Sequence, residues 1–231
     1  MSSVQAERTV LLSILKLTGD AATSTDAVKA ESKIPESIVR AYLRKFSERG
    51  LVKTWQGHIE ATRRQRLMIA AQFVDLGGDL EVVSRSLGWS EFESMIALAL
   101  ENNGFMVMRH FRFSSQGRRR EIDLLAAHKP FLILVECKRW SRGKGVSATK
   151  KIVEEHLKKT HALIAELPRL KAKAGLKDWD EATLVPVLAN LAESQLRFHE
   201  DVPIVAVLQV PSFLSELLAY VPSLKHFTTK L

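Results

Sequence analysis

The stretch "EIDLLAAHKPFLILVECKRW" (121–140) places an aspartate, a glutamate and a lysine where two adjacent strands would bring them together. "FLILVECK" is apolar until it delivers Glu136, Cys137 and Lys138. Charge beside an apolar interior persists only where it is paired or binds a metal. Alternate side chains of a strand share a face, so Glu136 and Lys138 point one way and Cys137 the other. Across the short turn "HKP", pairing of "EIDLL" with "ILVECK" sets Asp123 beside Glu136. Two carboxylates that close raise each other's pKa unless a cation lies between them. A hard divalent ion, Mg²⁺ with Mn²⁺ as its substitute, meets that need. A neighbouring lysine can orient or help deprotonate a water and balance charge at a phosphate, and ion-assisted phosphodiester hydrolysis needs those parts. Asp123 and Glu136 are thus the expected metal ligands, and Lys138 the group that assists the nucleophile.

The elements around them read as α/β. "SEFESMIALALENNGF" is a helix ended by Asn103-Gly104, with Ser90 as its N-cap. "FMVMRHFRF" is a strand, "GRRR" a basic turn, and "EIDLLAA" and "FLILVECK" the next two strands. A helix over about 149–167 follows, then apolar strands "ATLVPVLAN" and "VPIVAVLQV" around a helical "AESQLRFHE", and a closing helix "PSFLSELLAYV". Helices alternating with uniformly apolar strands predict a sheet covered on both faces.

Asp, then Glu-x-Lys on the next strand, resembles the PD-(D/E)xK nuclease superfamily over residues 90 to about 218, including its archaeal resolvase-like and Mrr-like members. The resemblance implies a restriction-endonuclease-like core: a helix, a three-stranded meander, a helix and further strands. It also implies a glutamate near the metal on the first helix. Glu93 is the match, while Glu91, two residues earlier, falls on another face of the helix. Glu93 therefore joins Asp123, Glu136 and Lys138 as a catalytic candidate, and joins the two acids as a metal candidate. The proline of the motif is replaced by Ile122, and the helix after the third strand lacks the glutamine of RecB-like members, with Lys150 and Lys151 in that neighbourhood.

The preceding segment supplies a first domain, residues 1–77, before a nuclease-like domain, 78–231. Three helical stretches, closed by Gly19 and Gly50 and including "IPESIVRAYLRKFSERG", lead to a hairpin "LVKTWQGHIEAT". Ile38, Tyr42, Leu43 and Phe46 form the expected apolar face of the third helix. This pattern resembles a winged helix-turn-helix domain over residues 5–62, followed by a trailing helix. In such domains the third helix enters the DNA major groove and the hairpin touches the backbone. Arg40, Arg44, Lys45, Arg49 and Lys53 are the expected contacts.

The chain of 231 residues carries a net charge of +8, and twelve Lys or Arg against three acids fall between Arg109 and Lys151. Arg109, Arg118, Arg119, Arg139, Arg142 and Lys144 are expected to bind phosphates through counterion release. DNA is the expected partner, and a metal-dependent endodeoxyribonuclease of repair, recombination or restriction the expected activity. Cutting both strands or resolving a junction would need two sites, and so a homodimer. The same residues leave open a DNA-binding regulatory or protein-interaction protein that keeps the nuclease fold without cleavage. "RGKGVSATK" lacks the phosphate-loop spacing, so no nucleotide cofactor is expected. His156 and His161 are five apart, unlike a helical zinc pair, and read as surface or capping residues. The lone cysteine, the short apolar runs and the charged N-terminus predict a soluble cytoplasmic protein without a membrane span.

Overall fold

The computed structural model describes residues 2–19, 21–138, 145–191 and 194–231. They divide into two compact units, one reaching Phe92 and one starting at Glu93.

In the first unit, α1 (Ser3–Leu17) begins where the Ser2 hydroxyl accepts the Gln5 N–H, and it buries Val10, Leu11, Ile14 and Leu15. β1 (Thr23–Ser24) leads into α2 (Thr25–Ser32), capped by Ser24 at 3.1 Å from the Ala27 nitrogen. α3 (Glu36–Glu48) follows Pro35 and buries Val39, Leu43 and Phe46, whereas Ile38 is 40% exposed and lies off the apolar face expected for it. β2 (Lys53–Trp55) and β3 (His58–Glu60) form an antiparallel hairpin that β1 extends in the order β1-β3-β2. α4 (Arg63–Asp75) opens with a Thr62–Gln65 capping box, and α5 (Leu80–Arg85) completes the unit.

The unit runs past residue 77 to Phe92, and Arg66 supplies the physical reason. Its guanidinium, 2% exposed, donates to the Leu15 carbonyl (2.6 Å), the Thr18 hydroxyl (2.9 Å) and the Ser86 carbonyl (2.6 Å), and pairs with Glu91. Glu91 also accepts the Gly88 N–H. One buried cation therefore ties residues 86–91 to α1 and α4.

The second unit is built on a seven-stranded sheet. α6 (Trp89–Asn102) supplies its first helix and ends before Gly104, whose φ of +82° only glycine adopts freely. β4 (Met106–Ser115), β5 (Arg118–His128) and β6 (Phe131–Lys138) form an antiparallel meander. Gln116-Gly117 makes the first turn, at φ 51° and 73°, so Arg118–Arg120 open a strand instead of occupying the turn. α7 (Val146–Leu170) crosses over to β7 (Glu181–Asn190), which is parallel to β6. β8 (Phe198–His199) and β9 (Val202–Ala206) follow, then a 3₁₀ turn at 207–209, α8 (Val210–Tyr220) and β10 (Phe227–Lys230). The order is β4-β5-β6-β7-β9-β8, with β10 on β7. Where a helix was expected over 192–200, residues 195 and 197 are bends and 198–199 form β8, while 192 and 193 lie outside the described residues.

Pro186 shows how the sheet absorbs a residue without an N–H. β10 pairs with β7 up to Leu184 and β9 from Leu188, so Pro186 falls in the gap along that edge. On one face, Leu163 and Leu167 of α7 pack on Leu132, Leu134 and Leu184. On the other, Ile96 and Leu100 of α6 and Leu214 of α8 meet Ile133, Val135 and Val187.

Substituting Arg66 with Ala would strand Glu91 in the interior. Urea unfolding should show a loss of about 3–5 kcal/mol, partly recovered in an Arg66→Met, Glu91→Leu pair. A loss below about 1 kcal/mol, the scale of an exposed ion pair, would contradict this role.

Candidate active site

The apolar run of β6 ends at Glu136, whose carboxylate is 5% exposed. Each of its oxygens meets an ammonium: Lys138 Nζ lies 2.7 Å from Oε1 and Lys159 Nζ 2.7 Å from Oε2. Lys138 arrives by strand parity, two residues on along the same face. Lys159 arrives from α7, one helical turn beyond His156. The His156 ring is fully buried; its Nε2–H donates to the Leu134 carbonyl at 2.9 Å. That bond leaves the Nδ1 lone pair, 3.7 Å from Glu136 Oε2, without a hydrogen-bond partner among the described residues.

β5 and β6 pair up to Leu124 opposite Val135, and Asp123 and Glu136 follow one residue beyond the end of that ladder. Asp123 Oδ2 accepts the Cys137 N–H at 2.7 Å, which fixes the carboxylate against the strand. On the other side, the β4 register places His110 opposite Asp123. His110 has a φ of +51°, a backbone that non-glycine residues adopt at a cost and that concentrates at functional sites. Its Nε2 is 3.5 Å from Glu93 Oε2 and its Nδ1 3.0 Å from Glu121 Oε1. Glu93 itself is 4% exposed.

These surroundings push the two strand carboxyls apart. Burial, then the Glu136 charge, raises Asp123 to about 6, outweighing the Cys137 N–H and the two ammoniums. Burial also pushes Glu136 upward, but the His156 ring and the Lys138 and Lys159 ammoniums outweigh it and hold the group below its ordinary value. Burial drops His156 to about 4, so at neutral pH the lysines supply the positive charge. The Cys137 thiol rises well above its usual range through burial and then through the Asp123, Glu93 and Glu136 carboxylates. Glu93, Asp123 and Glu136 all offer oxygen donors of the kind a hard divalent cation takes, although among the described residues their oxygens do not gather within 4.8 Å of one another.

The expected phosphate contacts divide. Arg109 Nη1 donates to the Ser94 hydroxyl at 2.8 Å, beside Glu93. Arg118 and Arg119 are exposed at the start of β5, and Arg119 borders a basic cleft of ≈ 590 Å³ with Arg120 and Lys173. Arg139, Arg142 and Lys144 lie outside the described residues. In the first unit, Arg44, Arg49 and Lys53 are exposed, and Arg44 lines a groove with Trp55 and His58. Arg40 is held by Glu36 at 2.8 Å, and Lys45 by both Glu7 oxygens at 3.0 and 2.8 Å, so these two cations are already neutralised within the unit.

A family model described as "Restriction endonuclease" (Mrr_cat) matches residues 84–174. That segment contains Glu93, Asp123, Glu136, Lys138, His156 and Lys159. The match supports the nuclease superfamily and a nuclease-like function for this part of the chain, and the mixed α/β architecture is compatible with a restriction-endonuclease-like fold. An uncharacterized protein of Archaeoglobus fulgidus is 26% identical over 133 residues, 57% of this chain and 93% of that protein. A crystal structure of protein VC1899 from Vibrio cholerae aligns with 96% of this chain at 11% identity and a TM-score of 0.38. This chain spans 58% of the length of that one.

Lys159 and His156 were not legible as site residues. Their i, i+3 spacing was visible, but His156 read as a surface residue and turns out to be buried against Glu136.

Because the folded pKa of Asp123 exceeds its ordinary 3.8, its charged form costs the metal-free fold stability. That cost is absent below about pH 4, grows as pH rises through about 6, and stays constant above. Asp123→Asn keeps an oxygen for the Cys137 N–H, so in chelator-treated protein it should add on the order of 2–3 kcal/mol at pH 8 and almost nothing at pH 4. Urea titrations at both pH values measure this, and a loss at pH 8 would contradict it.

Proposed function

We propose that this protein is a Mg²⁺-dependent endodeoxyribonuclease that hydrolyses phosphodiester bonds in DNA repair, recombination or restriction. The observation that supports it most is the buried Glu136 carboxylate with Lys138 and Lys159 on its two oxygens, the Asp123 carboxylate fixed to the Cys137 N–H beside it, and the buried Glu93 on α6. The three carboxylates would hold the ion. When bound, it would polarise a phosphate oxygen and acidify a water. Lys138 would orient the nucleophile, and Lys159 would balance charge that develops at the phosphate. His156 would keep the Glu136 carboxylate and the helix in register through its bond to Leu134.

Arg109, Arg118 and Arg119 would bind the DNA backbone around this edge of the sheet. The first unit would act as a winged helix-turn-helix domain: its three helices precede an antiparallel hairpin, and among the described residues Arg44, Arg49 and Lys53 make none of the internal ion pairs that engage Arg40 and Lys45. Cutting of both strands would use a homodimer.

Labelled duplex, single-stranded, flap and junction DNAs, incubated with Mg²⁺, Mn²⁺ or EDTA, test the proposal. Metal-dependent cleavage should fall at least about 100-fold in Asp123→Ala and Glu136→Ala, with DNA binding retained, and roughly 10- to 100-fold in Lys159→Ala. DNA binding without metal-dependent cleavage of any substrate would favour the regulatory reading. Cleavage unchanged in the acid variants would show that the site lies elsewhere.

A further inference from the structure

The sheet edge opposite the meander holds a second group of metal-ligand side chains. β8 and β9 are joined by Glu200-Asp201, and the ring of His199 at the base of that turn faces Glu154 of α7. His199 Nε2 is sealed from solvent without a hydrogen-bond partner among the described residues. It stands 3.8 Å from Glu154 Oε1 and 3.8 Å from Glu200 Oε1. Ligand atoms of the three residues all lie within 4.8 Å of one another.

That spacing is too long for an N–H···O bond. It is close to what a shared ion requires, because two ligands about 2.1 Å from a tetrahedral zinc stand roughly 3.4 Å apart. A point equidistant from the three atoms lies roughly 2.1–2.5 Å from each, within a few tenths of an ångström of zinc–nitrogen and zinc–oxygen distances. Among the described residues the nearby Lys158 pairs with Glu155, at 2.7 Å.

We propose that Glu154, His199 and Glu200 bind a divalent transition ion of the zinc class. One imidazole nitrogen with two carboxylates suits a borderline ion, whereas Mg²⁺ and Ca²⁺ prefer oxygen alone. Three protein ligands leave a position for water. The imidazole, whose Nε2 is sealed from solvent, gives the site its anchor, and the two exposed carboxylates would close on the ion. The ion ties α7, the helix that carries His156 and Lys159, to the β8–β9 hairpin. None of its ligands belongs to the Glu93, Asp123 and Glu136 set, so the proposal stands or falls independently of the nuclease reading.

The test uses the full chain carrying Asp123→Asn and Glu136→Gln, stripped of metal and titrated with Zn²⁺ against a chromophoric chelator of micromolar affinity. One Zn²⁺ per chain should remain bound, with X-ray absorption reporting one nitrogen and two carboxylate ligands. His199→Ala should weaken binding at least about 10-fold, as should Glu200→Gln, an exposed turn change that guards against misfolding of the first variant. Zinc binding untouched by either substitution, or no zinc retained against the chelator, would overturn the proposal.

Discussion

A carboxylate that leaves water must find positive charge, and Glu136 meets that constraint with one ammonium on each oxygen. Much of the second unit serves this arrangement. β6 must be apolar up to Val135 to hold the strand in the sheet, and must then turn its Glu136–Lys138 face toward α7. α7 in turn must present Lys159 at the strand end while Leu163 and Leu167 pack farther along. The His156–Leu134 hydrogen bond locks the phase of the helix against the strand, because a small rotation of α7 would remove the bond and Lys159 together.

The arrangement is deliberately uneven. Glu136 holds both lysines and ionises readily, while Asp123, its cross-strand neighbour, has one backbone N–H and remains short of positive charge. Glu93 adds a third acid from α6, and the left-handed His110 reaches it from β4. Such a deficit destabilises the metal-free fold and favours whatever cation fills it, so stability and ion binding are two readings of the same electrostatic imbalance.

The strand part of this site was legible in the sequence because period-two parity and a short turn fix which residues face each other. Asp123, Glu136, Lys138 and the inward Cys137 required no tertiary information. The helix part was not legible. Which turn of a 25-residue helix lies over Glu136 depends on how α7 packs, and no local signal separates Lys159 from Lys150 or Lys151. Ion pairs show the same division: Glu36–Arg40 at i, i+4 can be read from spacing, whereas Glu7–Lys45 depends on the approach of α1 to α3. The Glu200-Asp201 turn gave no warning either, since two left-handed residues usually call for Asn-Gly. Without that cue the hairpin read as helix. Arg66 likewise looked like one basic residue among several, and only its burial reveals why the first unit continues to Phe92.

The central claim is that Glu93, Asp123 and Glu136 form one cation site. Electron paramagnetic resonance of Mn²⁺ titrated into chelator-treated protein, with His199→Ala in the background to remove the second site, tests it most directly. One bound Mn²⁺ per chain is expected, with affinity falling at least about 10-fold in each of Glu93→Gln, Asp123→Asn and Glu136→Gln. Equal Mn²⁺ binding by the parent and all three variants would contradict the account.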